Sequence, residues 1–409
     1  MRTVPVVLLL VWLSLLLTGA SRPADIAFRI RMIDPGYCET VAVADLNNDG
    51  KPDIISGESW YEAPNWTKHS LRAIDATINY IDNFSDLAVD VDGDGWIDIV
   101  QVAYYSQNIV WLKNPGKSGG PWVVSQIDSG SPNEFAILAD LNNDGKKQEV
   151  LPEFTRLNVP LAWYEVQGGK WVRHVVSDKS YGHGIGAGDM NGDGRTDILT
   201  PQGWLEAPAD PRASGNWTFH QTDWDVPPRP SEMTPPAAPP ANNGHVEFGF
   251  MYVMDVNGDG LPDVVTTLGH DYGVLWFGQR AAGQWTRHII DSTWSQAHAS
   301  ALVDLNGDGQ PDLVTGKRYF AHNGTDTGER EPLGVNWYEF RKAQTPQNGR
   351  GGAAANIEWF RHIVDYGGRM GGGLQIVVAD MNGDGDPDIV SGGKTGLFLA
   401  ENLTKSISK

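Results

Sequence analysis

A nine-residue acidic segment is written seven times along the chain. The copies begin at Asp45, Asp90, Asp140, Asp189, Asp255, Asp304 and Asp380 and read DLNNDGKPD, DVDGDGWID, DLNNDGKKQ, DMNGDGRTD, DVNGDGLPD, DLNGDGQPD and DMNGDGDPD. A short apolar run precedes each copy, and in six of the seven another follows, such as DIIS, DIVQ, DILT or DLVT. Self-similarity at this period specifies a repeat architecture, in which each unit buries its apolar face by stacking on its neighbours. The unit from Gln284 shows what is repeated: WTRHII, SALVD, DLVTG and VNWYEF are four β-branched and aromatic runs bounded by turn residues. WYEAP then NWTKHSL, and AWYEV then KWVRHVV, keep the same order. Four antiparallel strands repeated radially make a propeller blade. The expected fold is therefore all-β, a seven-bladed β-propeller of four-stranded antiparallel blades with about 55 residues per blade. FRIRMI, from Phe28, has the look of an outermost strand yet precedes the first loop, and no such strand follows the last loop. The N-terminal strand is thus expected to complete the last blade and close the ring, which removes an open sheet edge.

Residues 1–20 read as a secretory signal, with Arg2 as the positive flank, an apolar core from Val6 to Leu17 and a small-residue cleavage site near Ala20. That core is too short to span a bilayer. The expectation is one propeller over residues 21–409, secreted to an extracellular or periplasmic space. Residues 226–244 form a Pro-rich insert, and residues 318–334 and 341–356 are two more departures from the period. Cys38 is the only cysteine, so no intrachain disulfide can form. The formal charge of -20 is concentrated in the seven loops. It reads as a stock of metal ligands, and the absence of a basic stripe argues against nucleic acid as a partner.

In the pattern D-x-[DN]-x-D-G-x-x-D, oxygen donors stand at positions one, three, five and nine, and the Gly lets the backbone turn back on an ion. Hard oxygen donors in a flexible loop suit Ca²⁺. The spacing matches the first half of an EF-hand loop but lacks its bidentate Glu at position twelve. These repeats resemble the FG-GAP/VCBS class, which includes the propeller of integrin α-subunits. The resemblance implies calcium ligands at Asp45, Asn47, Asp49 and Asp53 in the first loop and Asp90, Asp92, Asp94 and Asp98 in the second. In the fourth and fifth it implies Asp189, Asn191, Asp193 and Asp197, then Asp255, Asn257, Asp259 and Asp263. The sixth and seventh give Asp304, Asn306, Asp308 and Asp312, then Asp380, Asn382, Asp384 and Asp388. The third loop supplies Asp140, Asn142 and Asp144 but has Gln148 at position nine, so it is expected to bind weakly or to be empty unless Glu149 substitutes. Six or seven structural Ca²⁺ ions are implied.

The histidines fall into two classes. His69, His174, His220, His288 and His362 each lie three residues after a Trp. Recurrence in blade after blade marks them as packing, padding the outer strand against the next blade. His183, His245, His270, His298 and His322 break the pattern, and all fall in loops expected on the face opposite the acidic loops. His183 and His298 each lie six residues before an acidic loop, an offset that Glu39 and Glu134 share. Asp271, Tyr272, Lys317, Arg318, Tyr319 and Tyr181 lie in the same loop classes, and convergent polar and aromatic groups at a concave mouth mark a default site. His183 and His298, with His245, His270 or Glu134, could hold a transition metal such as Zn²⁺ or Mn²⁺. Without metal, a His and Tyr181 could act as acid and base. The WxxH strands and the six-residue offset also resemble, more weakly, the propeller of aldos-2-ulose dehydratase, which implies a role for His183 and His298 by phase alone.

The functional expectation is a calcium-stabilised propeller binding a ligand, of the carbohydrate class, on the face opposite its acidic loops. Two alternatives stand beside it: a metal-dependent lyase or dehydratase acting on a sugar or oxidised sugar, and a protein-adhesion module. Fold alone does not choose among them.

Overall fold

The structure is a computed structural model and describes residues 24–213, 215–222, 224, 246–281, 283–343 and 356–407. The signal segment with Ala20, the Pro-rich insert, His245 and all but the ends of the 341–356 insert lie outside the described residues.

The chain is almost wholly β, with strands arranged radially as a propeller. The innermost strands are Ala42–Ala44, Ser85–Val89, Asn133–Ala139, Ile185–Gly188, Phe248–Met254, Ser300–Val303 and Ile376–Ala379. Each neighbours the next around the axis, and the last returns to the first. The strands beside them, such as Asp53–Ser56, Asp98–Val102 and Asp388–Gly393, are buried at every residue because sheets cover both of their faces. The outermost strands, such as Val123–Ser129, are largely exposed. Phe28–Asp34 pairs antiparallel with Gly396–Asn402, so the N-terminal strand does complete the last sheet.

The expectation of seven separate blades is not met. Among the described residues there are five separate four-stranded sheets, whereas the units expected as the fourth and fifth blades form one eight-stranded sheet. Parallel pairing of Ile185 with Phe250 and of Gly186 with Met251 joins them. Glycine is the cause: a Cβ at Gly186 would stand 2.1 Å from the Met251 carbonyl oxygen, and one at Gly188 would stand 2.6 Å from Val253. Without side chains the two innermost backbones come close enough to exchange hydrogen bonds.

The repeat histidines also act differently from the expectation. His69, His174, His220, His288 and His362 stack on Trp60, Trp163, Trp204, Trp276 and Trp337, each on the neighbouring strand of the same sheet. Cross-strand pairs of this kind stabilise a sheet from within. Four of the five also reach a Glu two residues after that Trp: Glu62, Glu165, Glu206 and Glu339. In the remaining unit Gly278 occupies that place.

Each acidic loop divides its acids into two groups. The acid at position nine opens the next strand and is fully buried in six loops, as Asp53, Asp98, Asp197, Asp263, Asp312 and Asp388. Its two oxygens accept backbone N–H groups from the loop and from a strand end: Leu46 and Ala63 on Asp53, Leu305 and Phe340 on Asp312. Burial pushes these carboxyls up, Asp53 to about 6 and Asp312 to about 7, against the lowering effect of the N–H donors. The acids at positions one, three and five stay at or near the surface. In the third loop Gln148 is exposed, and Glu149 takes the buried place, accepting from Leu141 N and Asn142 Nδ2. Its extra methylene makes up for starting one residue later. In the second loop Asp90, Asp92 and Asp94 bring oxygens within 4.8 Å of one another, and the Lys113 ammonium sits against Asp92 and Asp94.

Candidate metal centre

The acidic loops lie at one end of the innermost strands. At the other end, six residues before each acidic loop, the chain enters the strand near the axis. The units place Glu39, Phe84, Glu134, His183, Gly249, His298 and Leu374 there. Strand direction alone thus separates the acids of the loops from the two histidines. His270 joins them from the turn after Asp263–Leu268, a strand that leaves the acidic-loop face.

Glu134, His183, His270 and His298 each bring one ligand atom to within 4.8 Å of the others. All four are buried, at most 6% exposed. His183 Nε2 stands 3.1 Å from His270 Nε2 and 3.1 Å from His298 Nε2. Glu134 Oε2 is 3.4 Å from His183 Nε2, and its Oε1 is 3.5 Å from His298 Nε2 and 3.9 Å from His270 Nε2.

The partners of the other ring nitrogens fix what faces the centre. His183 Nδ1 is 2.7 Å from the Phe248 carbonyl, which can only accept, so Nδ1 carries the hydrogen. His270 Nδ1 is 2.8 Å from Asp326 Oδ2, which assigns its hydrogen the same way. In the neutral rings both Nε2 atoms then present lone pairs to each other at 3.1 Å. That contact is repulsive unless a cation lies between them. Without metal a proton takes that role: burial favours neutral His183, but Glu134, then Glu153 and Glu247, raise it to about 9. Burial lowers His270 and holds His298 well below its ordinary value. Burial would raise the Glu134 carboxyl, yet His183, His298 and Arg318 hold it well below the usual carboxylate range. Three imidazoles and a carboxylate, with outer hydrogen bonds orienting two of the rings, form a donor set suited to a divalent first-row transition metal.

Several local features seat this set. The fused pair of innermost strands carries Phe248 to His183, and Phe248 N donates to the His183 carbonyl at 2.9 Å. Gly249 and Gly269 supply space: a Cβ at Gly249 would stand 2.6 Å from the His298 carbonyl, and one at Gly269 would stand 3.2 Å from His183 Cε1. Phe135 meets both His183 and His298 edge-on at 5.2 Å. Arg318, 0% exposed, crosses between sheets to Glu39 Oε1 at 2.9 Å and Glu134 Oε1 at 3.1 Å. The 318–334 segment brings Asp326, which also meets His322 Nδ1 at 2.9 Å, and His322 stacks on His270 at 4.7 Å.

The remaining expected residues sit around this centre. Glu39 is held by Arg318, with Lys394 Nζ 3.8 Å away. Lys317 Nζ bonds Ser295 and reaches Glu331, and the Tyr272 hydroxyl donates to Glu331, next to Asp271. Tyr319 is 38% exposed on the rim. Tyr181 is not brought to the cluster, since its ring stacks on Phe219 and its hydroxyl contacts Ser177. Asp326 and Glu153 belong to the centre and were not singled out from sequence. Asp326 lies within an insert already marked as a departure from the period, which was the one available signal.

Residues 90–148 and 255–315 match the model of the FG-GAP-like repeat. The chain carries FG-GAP-like repeats. No curated protein matches its sequence. Among solved structures, BBS1N in complex with ARL6DN is 10% identical, with 94% of this chain and 99% of that chain covered and a TM-score of 0.51. The likeness shows the propeller fold. The extracellular domain of a hybrid two-component system from B. thetaiotaomicron is 11% identical with a TM-score of 0.46, covering 94% of this chain and 42% of that one. This chain thus spans less than half the length of that one. Rhamnogalacturonan lyase YesW is 13% identical, covering 93% of this chain and 74% of that chain, with a TM-score of 0.46. No helix among the described residues is long and apolar enough to cross a membrane.

Proposed function

We propose that this chain is an exported ligand-binding propeller that holds one divalent transition-metal ion through Glu134, His183, His270 and His298. The observation carrying the reading is the convergence of four buried donors, two of which oppose lone pairs at 3.1 Å. Counted by its innermost strands, the ring has seven units, one per acidic loop. Ca²⁺ in those loops would tie the turns together through the acids at positions one, three and five. The position-nine carboxylate keeps a lone pair on each oxygen after accepting its backbone donors. The ligand belongs on the opposite face, and a hydroxyl-rich carbohydrate suits the acids, Arg and Tyr residues around the centre. When bound, the metal would supply Lewis-acid polarisation of a ligand oxygen. This chain's residues orient the imidazoles, through Phe248 and Asp326, and balance the charge of Glu134 through Arg318.

The second reading is a metal-dependent lyase or dehydratase acting on a sugar. The buried carboxylate of Glu153 beside the donor set favours it. Elemental analysis before and after mild chelation tests the metal centre. The expected result is about one transition-metal ion per chain beyond calcium, lost in His183→Ala and in His298→Ala. Transition metal absent from protein refolded with Zn²⁺ or Mn²⁺, or wild-type metal content kept in both variants, would overturn it.

A further inference from the structure

Glu153 lies on the strand Glu149–Phe154, which pairs with Asn133–Ala139 through a register shift between Asn133 and Ala136. That shift sets Glu153 next to Glu134. Thr155 Oγ1 donates to Glu153 Oε2 at 3.2 Å. The other oxygen, Oε1, is buried and has no hydrogen-bond partner among the described residues. The whole side chain is 1% exposed, and burial pushes its carboxyl up to about 8 against the lowering charge of His183, with Glu134 adding to the rise. A buried carboxyl oxygen without a donor is costly, and a hydroxyl or water delivered to the centre would satisfy it. The other ionic groups at the centre are already engaged: Arg318 by Glu39 and Glu134, and Asp326 by His270 and His322. Four protein donors also leave many first-row ions short of their full coordination.

We propose that the metal has one exchangeable position facing Glu153, filled by water at rest and by a hydroxyl oxygen of the ligand when bound, with Glu153 Oε1 accepting the hydrogen bond from that oxygen. The inference rests on the metal reading above and adds the class of ligand atom and its protein partner. Glu153 is a positioning residue for that oxygen and leaves the four protein donors unchanged.

The test loads the full chain with Co²⁺ and reads metal content together with the visible absorption spectrum. Wild type is expected to hold about one Co²⁺ at the centre, with the weak bands of a five- or six-coordinate ion. Glu153→Ala is expected to keep that Co²⁺ while its bands become several-fold more intense, as the unanchored oxygen donor leaves a four-coordinate ion. Glu153→Gln, of the same size and able to accept through its carbonyl oxygen, should stay near wild type and shows that the fold is intact. Intense four-coordinate bands in wild type would overturn the inference while leaving the metal reading standing. So would a Glu153→Ala spectrum identical to wild type. Loss of Co²⁺ from Glu153→Ala would make Glu153 a ligand and overturn it as well. Absence of Co²⁺ from wild type would instead remove the metal reading itself.

Discussion

The two ends of the innermost strands are both rich in ionisable residues, yet they use them in opposite ways. On the acidic-loop face each unit buries the carboxylate that opens its second strand, and in six of the seven each of its oxygens meets a backbone N–H, so its role repeats around the ring. On the other face the six-residue offset supplies residues that vary from unit to unit. Two Glu and two His point toward the axis, and three of these four meet beside His270. Repetition there would crowd seven like groups around the axis, and variation is what creates a single site. Recurrence therefore marks scaffold and departure from recurrence marks function.

The strongest way to break this contrast is to remove one residue from each class. His183→Ala should take the transition-metal content from about one per chain to near none while leaving calcium content unchanged, as read by elemental analysis. Equal loss of both metals would show that the faces are not independent. Next in size, Asp312→Ala leaves two buried N–H donors unmet and should cost roughly 2–4 kcal/mol of stability, measured by denaturant unfolding in chelator. Asp308→Ala, at an exposed position of the same loop, should stay within about 0.5 kcal/mol under those conditions. The third loop sharpens the point: Glu149→Ala should cost about 1–3 kcal/mol, whereas Gln148→Ala should be near neutral. The reverse order would place Gln148 in the structural role.

The smallest effect concerns pH. Burial raises Asp53, Asp98, Asp197, Asp263 and Asp388 to about 6 and Asp312 to about 7, so between roughly pH 4 and 6 the folded chain binds more protons than the unfolded one. Their contribution to stability therefore falls as pH rises through that window. In chelator the melting temperature should be a few degrees higher near pH 5 than near pH 7. Excess Ca²⁺ should reverse the order, because it competes with those protons and binds the folded state. A melt insensitive to both chelator and calcium would remove calcium from the scaffold.

Much of this was legible in the residues. The acidic loops gave the propeller, and FRIRMI before the first loop gave the closure of the ring. The six-residue offset picked out Glu134, His183 and His298 because a repeat fixes phase, and phase fixes distance from the axis. The fusion of two units was hidden in Gly184-Ile185-Gly186-Ala187-Gly188, whose missing side chains matter only once Met251 and Val253 are opposite. Repeat histidines were legible as packing, but their stacking partners depended on strand register.

What the sequence determined by itself is the scaffold and its polarity: covalent spacing and strand alternation decide which residues share a face. What only the tertiary structure decided is the site. His270 with His183, Asp326 with His270, and Glu153 with Glu134 meet through turns, an insert and a register shift. Separation along the chain carries no information about those contacts, because packing between sheets sets them.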